Sequence, residues 1–380
     1  MKKAHGFTML ETLIAGVIGI VVLGAATIAV LAITNTLNLQ KARAGLDEES
    51  KLLADYLMAK IQSAGNEYIR PWAVVYAHDE GSSRISHQID EDQRSDAITI
   101  GQPLGQDMTV ETWNWTLGNK SIDVTAKATK VCGQCPSYEG KHVVIYNSTQ
   151  TAYYPAYITK QESSVVTSGE CNGDTANDKT VVVRCRYDLE PSKAGAKPIN
   201  SHLIYGVNSD LLSMQEVTFE TYYLVIRELF KIHQLWGYKD HNNNGRPDAT
   251  NDERFTLAND VYDLQISMGY DYAPQDRRLP DYESSDDEWF NNSVNDCDAI
   301  VESATDFNND GYLVPTGAQP KQLRMAAIGI TVGKRIRGIG RDKKFSFVQH
   351  FNGACLNPYG YHLRGTKSRA MLRSLNLYEP

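Results

Sequence analysis

Apolar residues occupy every side of the chain from Met9 to Ile33: across those 25 positions Glu11 is the only formal charge. At about 1.5 Å per residue, a helix of that length crosses a hydrocarbon core of roughly 30 Å. The pattern therefore predicts a membrane-spanning helix. A cleaved signal peptide needs a shorter apolar core followed by a small-residue cutting site, and this run is too long for one. Lys2 and Lys3 before the span, with Lys41 and Arg43 well after it, favour a cytoplasmic N-terminus.

Beyond Ile33 the helical period continues with charges interleaved. Leu39, Leu46, Leu53 and Lys60 fall seven apart, Ala42, Glu49, Tyr56, Leu57 and Ile61 fill a second row, and Arg43, Asp47, Glu48, Lys51 and Asp55 take the other faces. No proline occurs from 7 to 70; Gly65 and then Pro71 supply the stop. One helix over 7–65 is expected. Its part over 7–33 is apolar all round and suits lipid or a bundle of like helices, while 34–65 is amphipathic and suits packing on a folded domain.

After residue 70 the period shortens. Ala97–Ile100, Met108–Trp115, Ile122–Ala128, His142–Tyr146, Thr180–Tyr187, His202–Tyr205, Val217–Phe230, Val261–Met268 and Met325–Ile336 are rich in Val, Ile, Thr and Tyr. Gly, Asn, Asp and Pro bound them, so they read as antiparallel strands. The polar stretches 77–95, 161–179 and 271–323 read as long loops. The fold class expected is α+β: a long N-terminal helix on a β-rich head over 66–380, with a β subdomain over 101–200 as one way of dividing it.

Composition narrows the class. A length of 380 residues with 42% hydrophobic content supports a sizeable core, and a net charge of −8 with both signs interspersed argues against general nucleic-acid binding. The basic run Gly333–Lys344 is the single candidate for a local DNA patch, and it also reads as a solvated strand end. Six cysteines, Cys132, Cys135, Cys171, Cys185, Cys297 and Cys355, all follow the apolar segment. If that segment directs export, they meet an oxidising compartment and pair as disulfides, with Cys171–Cys185, Cys132–Cys135 and Cys297–Cys355 one of fifteen complete pairings. A four-thiolate zinc site would need a second CxxC pair, which Cys171 and Cys185 do not supply.

Two loops carry the alternating oxygen ligands that wrap a hard cation. Asp240, Asn242, Asn244 and Asp248 stand at positions 1, 3, 5 and 9 with Gly245 at 6, and Arg246 can add its carbonyl; position 12 is Asn251 rather than a bidentate Glu. Asp306, Asn308 and Asp310 repeat the spacing, with Gly311 next and the Tyr312 carbonyl in line. Calcium, one ion or two, is the cofactor these loops suggest; a solvated Asn/Asp turn is the alternative. The chain holds no GxSxG, HExxH or P-loop pattern, and it reads as a protein that performs no catalysis.

The opening "KKAHGFTMLETLIA" resembles the class III signal of type IV prepilins: a short basic leader, a glycine, an aromatic residue and a glutamate four residues on within an apolar helix. Later segments such as "GKHVVIYN", "VTFETYYLVIRELFKI" and "RMAAIGITVGKRI" resemble, in order, those of PilW-like minor pilins. The resemblance implies a leader of residues 1–6, cleavage by prepilin peptidase after Gly6, and methylation of Phe7. It also implies an inner-membrane stage with the head in the periplasm, then assembly through the helix with other minor pilins and the major pilin, in an initiating or tip complex. The charge on Glu11 then finds the α-amine of a neighbour's Phe7, since two unpaired charges in lipid would be costly. A type II secretion pseudopilin shares leader and helix, and a calcium-dependent tip adhesin or DNA-uptake receptor is the rival from another class.

Overall fold

The computed structural model describes residues 8–78, 96–116, 119–128, 137–168, 181–205, 212–227, 232–245, 252–271, 289–290, 304–306, 313–315, 317–335 and 361–372. Met9–Gln62 forms one uninterrupted helix of 54 residues, α1. It is long and apolar enough to cross a membrane. Its large apolar side chains from Met9 to Leu37 all stand exposed, whereas Leu46, Ser50, Leu53, Ala54, Leu57, Met58 and Ile61 are buried in the head. The buried set recurs at three- and four-residue steps, which puts it on one face. Burying each large apolar member stabilises the docked helix by roughly 1.5–3 kcal/mol.

The stop is local. Ser63 N–H still reaches Ala59 and Lys60 carbonyls, and Gly65 then turns the chain at φ +68, a conformation a Cβ would oppose. Asn66 Oδ1 accepts from the N–H groups of Tyr68 and Ile69 at 2.9 and 2.7 Å, closing the reversal.

In chain order the first strands are β1 Val75–His78, β2 Ala97–Thr116, β3 Asn119–Ala128, β4 His142–Asn147, β5 Tyr153–Ser168 and β6 Val181–Pro191. After the short helix α2, His202–Tyr205, come β7 Leu212–Arg227, β8 Ile232–Lys239, β9 Glu253–Asn259 and β10 Val261–Tyr270. The rest are β11 Trp289–Phe290, β12 Ala304–Asp306, β13 Leu313–Pro315, β14 Leu323–Arg335 and β15 Tyr361–Met371. Every strand pairing among them is antiparallel.

Six of these strands close a ring. β2 pairs β3, β3 pairs β6, β6 pairs β5, β5 pairs β4, β4 pairs β7, and β7 returns to β2. Alternate residues such as Val143 and Ile145, Tyr154, Ala156 and Ile158, and Cys185, Tyr187 and Leu189 form one buried cluster inside it. That is the interior face of a small barrel filled by side chains. The residues between them, Val144, Tyr146 and Tyr153, point outward and join the larger core that holds α1.

β2 and β7 extend past the barrel. Ile98–Leu104 of β2 lies on Glu216–Tyr222 of β7, offset from the barrel portion by a register shift between Leu104 and Met108. With β1 on one side and β8 and β9 on the other, they make a platform. A second sheet, β11-β10-β14-β15, lies against α1 through β14 and β15, and its strand β10 is buried along its whole length.

Several expectations need correction. His202–Tyr205 is helical: Leu203 and Ile204 N–H groups bond to Asn200 and Ser201 carbonyls, after Asn200 turns at φ 52. A four-residue apolar run carries no period that separates strand from helix. Strand β5 runs on to Ser168 where a loop was expected, and β11, β12 and β13 lie inside the expected loop 271–323. β1, β8, β9 and β15 were not anticipated. The expected loop over 77–95 falls from 79 onward outside the described residues.

Candidate functional site

At the start of α1, Glu11 is the third helical residue and turns back on its N-cap. Thr8 N–H donates to Glu11 Oε2 at 2.8 Å, the Thr8 hydroxyl lies 3.0 Å from the same oxygen, and Thr8 Oγ1 accepts from Glu11 N–H at 3.3 Å. This reciprocal capping box satisfies two donors that a helix start otherwise leaves open. The negative charge also sits at the favourable end of the helix dipole. The sequence reading gave Glu11 a partner in the α-amine of a neighbouring subunit's Phe7. Gly6 and Phe7 lie outside the described residues, and the partner found is Thr8. The Thr-x-x-Glu spacing was itself the signal for it.

Where α1 enters the head, one position on its stripe is not apolar. Lys60 Nζ donates to Glu220 Oε2 at 2.7 Å, and Tyr222 Oη donates to the same oxygen at 2.6 Å. Tyr222 has one proton and spends it on Glu220, so Tyr56, 3.4 Å away, donates to Tyr222. Lys239 stands 3.9 Å from Glu220 Oε1 and 2.9 Å from Glu253. Burial alone would raise the Glu220 pKa, but the hydrogen bonds from Lys60 and Tyr222 and the charges of Lys60 and Lys239 outweigh it and leave it lowered. The network orients the helix on β7 by directional bonds where apolar packing alone would let it slide.

That shift fixes a sign. A carboxylate whose folded pKa lies below its unfolded value near 4.5 contributes stability that is complete above that value and lost as pH falls through the folded one. Glu220→Gln is expected to cost about 1–3 kcal/mol at pH 7. In denaturant melts the gap between wild type and variant should shrink below pH 4.5; a gap independent of pH would remove charge from the account.

The β8–β9 connection forms the second polar centre. Asp240 is 3% exposed; its Oδ2 accepts from Gly245 N–H at 2.8 Å, while its buried Oδ1 has no hydrogen-bond partner. Burial raises its pKa, and the N–H groups of residues 242–245 pull it back down. Asn242 Oδ1 accepts from Asn244 N–H at 3.0 Å, and Asp252 Oδ1 from His241 N–H at 3.1 Å. Gly245 is required at its place: φ is +72, and a Cβ there would lie 2.7 Å from the Lys193 carbonyl.

This turn is seated on the end of the barrel. Tyr157 Oη donates to the His241 carbonyl at 2.9 Å, and Asn243 accepts from Lys193 N–H at 2.5 Å while donating to Glu190 at 2.6 Å and to the Pro191 carbonyl at 3.1 Å. His142 Nε2 lies 2.6 Å from the Asp240 carbonyl, which can only accept, so Nε2 carries the proton and Nδ1 accepts from Ser192 Oγ. Burial pushes the His142 pKa down to about 4, against the pull of the Asp240 carbonyl, and the ring is neutral at pH 7. His142 and Asn243 were missed by the sequence reading. Asn243 had a signal, since an asparagine before Asn-Gly tolerates the left-handed backbone it adopts at φ 56.

Of the other expected site residues, Arg246, Asp248, Asn308, Asp310 and Tyr312 lie outside the described residues, and for Asp306 only the strand assignment is described. Among the described residues no three of His, Cys, Asp and Glu gather as a metal centre. Cys185, inside the barrel, is disulfide-bonded. The remaining five cysteines, including its expected partner Cys171, lie outside the described residues. A groove of about 640 Å³ runs between α1 at Gly45–Tyr56 and Phe255–Asn259 of β9, leaving Leu52 63% exposed.

No protein-family model, no curated protein and no solved structure matches this chain, so its role is read from the helix, the Glu220 network and the Asp240 turn themselves.

Proposed function

We propose that this chain is a minor pilin of the PilW-like kind, made as a prepilin, cut after Gly6 by prepilin peptidase and methylated at Phe7. It waits in the inner membrane on the first half of α1 with its head in the periplasm. It then enters a type IV pilus as part of an initiating or tip complex, alongside other minor pilins and the major pilin. Its work is assembly, without catalysis. The observation that supports this reading is one uninterrupted helix with two parts: apolar side chains exposed from Met9 to Leu37, and a C-terminal third held in the head by Leu57, Ile61 and the Lys60–Glu220 bond. A detachable signal or a flexible stalk needs no such continuity.

Intact-mass measurement of the protein extracted from membranes tests the reading. The expected mass lacks residues 1–6 and carries one added methyl group. A mass retaining Met1–Gly6, in cells that process other prepilins, would overturn it. The type II secretion alternative shares this processing. It predicts that the mature chain supports secretion in place of fibre formation, which deletion of the gene distinguishes.

A further inference from the structure

We propose that the Asp240 turn binds a hard divalent cation of the calcium class, and that the bound ion fastens the platform to the barrel. The buried carboxylate oxygen Asp240 Oδ1 has no hydrogen-bond partner. A buried carboxylate oxygen is costly to leave bare, so something with positive charge belongs beside it. Oδ2 is already held by Gly245 N–H, which aims the carboxylate and leaves its second oxygen for a ligand. Asn242 and Asn244 bring amide oxygens at alternate positions of the same turn, and the carboxylate of Asp252 is bonded to His241 of that turn. All of these are neutral or carboxylate oxygens, the donors that suit calcium or magnesium rather than zinc or copper.

The consequence follows from what the turn touches. Its Asp240 and His241 carbonyls and its Asn243 side chain make every contact with His142, Tyr157, Glu190, Pro191 and Lys193 described above. An ion on Asp240 therefore rigidifies a hairpin end of the platform that grips the barrel rim. With few carboxylates the site belongs to the weak class of extracellular modules, with a dissociation constant on the order of 10⁻⁴–10⁻³ M. This inference stands apart from the pilin reading, since it concerns only the head.

The test uses the full chain in detergent micelles, stripped with chelator and then given 10 mM CaCl₂ or 10 mM MgCl₂. Calcium is expected to lower the unfolding equilibrium constant by about 10- to 100-fold. It should also slow amide exchange at Lys193 and Gly245, the two N–H groups bonded to Asn243 and Asp240. Asp240→Asn could fail for structural reasons, so Asn242→Ala/Asn244→Ala serves as the variant, because these side chains are partly or fully exposed. It should keep the melting temperature of the stripped protein and lose the calcium response. Terbium emission excited through tyrosine, competed away by calcium in wild type only, gives a readout independent of stability. No calcium response in wild type, or an equal response in the double variant, overturns the proposal.

Discussion

On the proposed minor-pilin reading, Glu11→Ala should leave the protein inserted and processed but at least about 100-fold depleted from fibres. In the membrane subunit the variant loses only the capping box, about 0.5–2 kcal/mol at a helix end, and the span becomes more apolar. In the packed bundle that the proposal calls for, it would leave the α-amine of a neighbour's Phe7 buried without its counter-charge. Breaking a buried ion pair by removing one partner costs about 3–5 kcal/mol, and each 1.4 kcal/mol is a factor of ten. Glu11→Gln separates the two roles. Its amide oxygen still accepts from Thr8 N–H, so a variant needed only as a helix cap would assemble like wild type, whereas one needed for its charge would fail like alanine. Immunoblots of sheared fibres against the membrane fraction read the ratio directly. Normal incorporation of both variants would end the proposed pairing.

The second large effect lies at the other end of the helix. Leu57→Ala is expected to destabilise the head by about 2–5 kcal/mol, because Leu57 is fully buried between the helix and the sheets and the space it leaves closes only in part. Leu52→Ala, one turn away on the exposed side, should stay within about 0.5 kcal/mol of wild type. Thermal melts of the two variants side by side decide whether the helix is truly part of the core. Equal melting temperatures would mean that α1 merely leans on the head.

Local pattern carried the helix well. Its apolar half, its amphipathic half and its end shortly before Gly65 follow from composition, period and a backbone angle, all set within a few residues. Lys60 announced the Glu220 network in outline, since a lysine stood where the seven-residue stripe called for an apolar side chain; its partners, some 160 positions away, had no local mark. The barrel was illegible for the same reason. Val143 and Ile145 face inward and Val144 outward, yet all three read as one apolar run because both faces are covered. β8, with His233, Gln234 and Gly237 among its apolar residues, is spelled like a loop and is held as a strand by its neighbours β7 and β9. At the Asp240 turn the ligand-like spacing was visible. The seat it occupies on His142, Tyr157 and Lys193 was not, because those residues arrive from β4, from β5 and from the end of β6.

β2 and β7 run unbroken from platform to barrel, and this gives the head a mechanical character. Twisting one part against the other loads both strands at once, and the register shift between Leu104 and Met108, where Gly105 turns at φ +66, is the place where that strain collects. The two parts of the head are therefore tied by continuous backbone, so a displacement of the platform is carried to the barrel through β2 and β7 themselves.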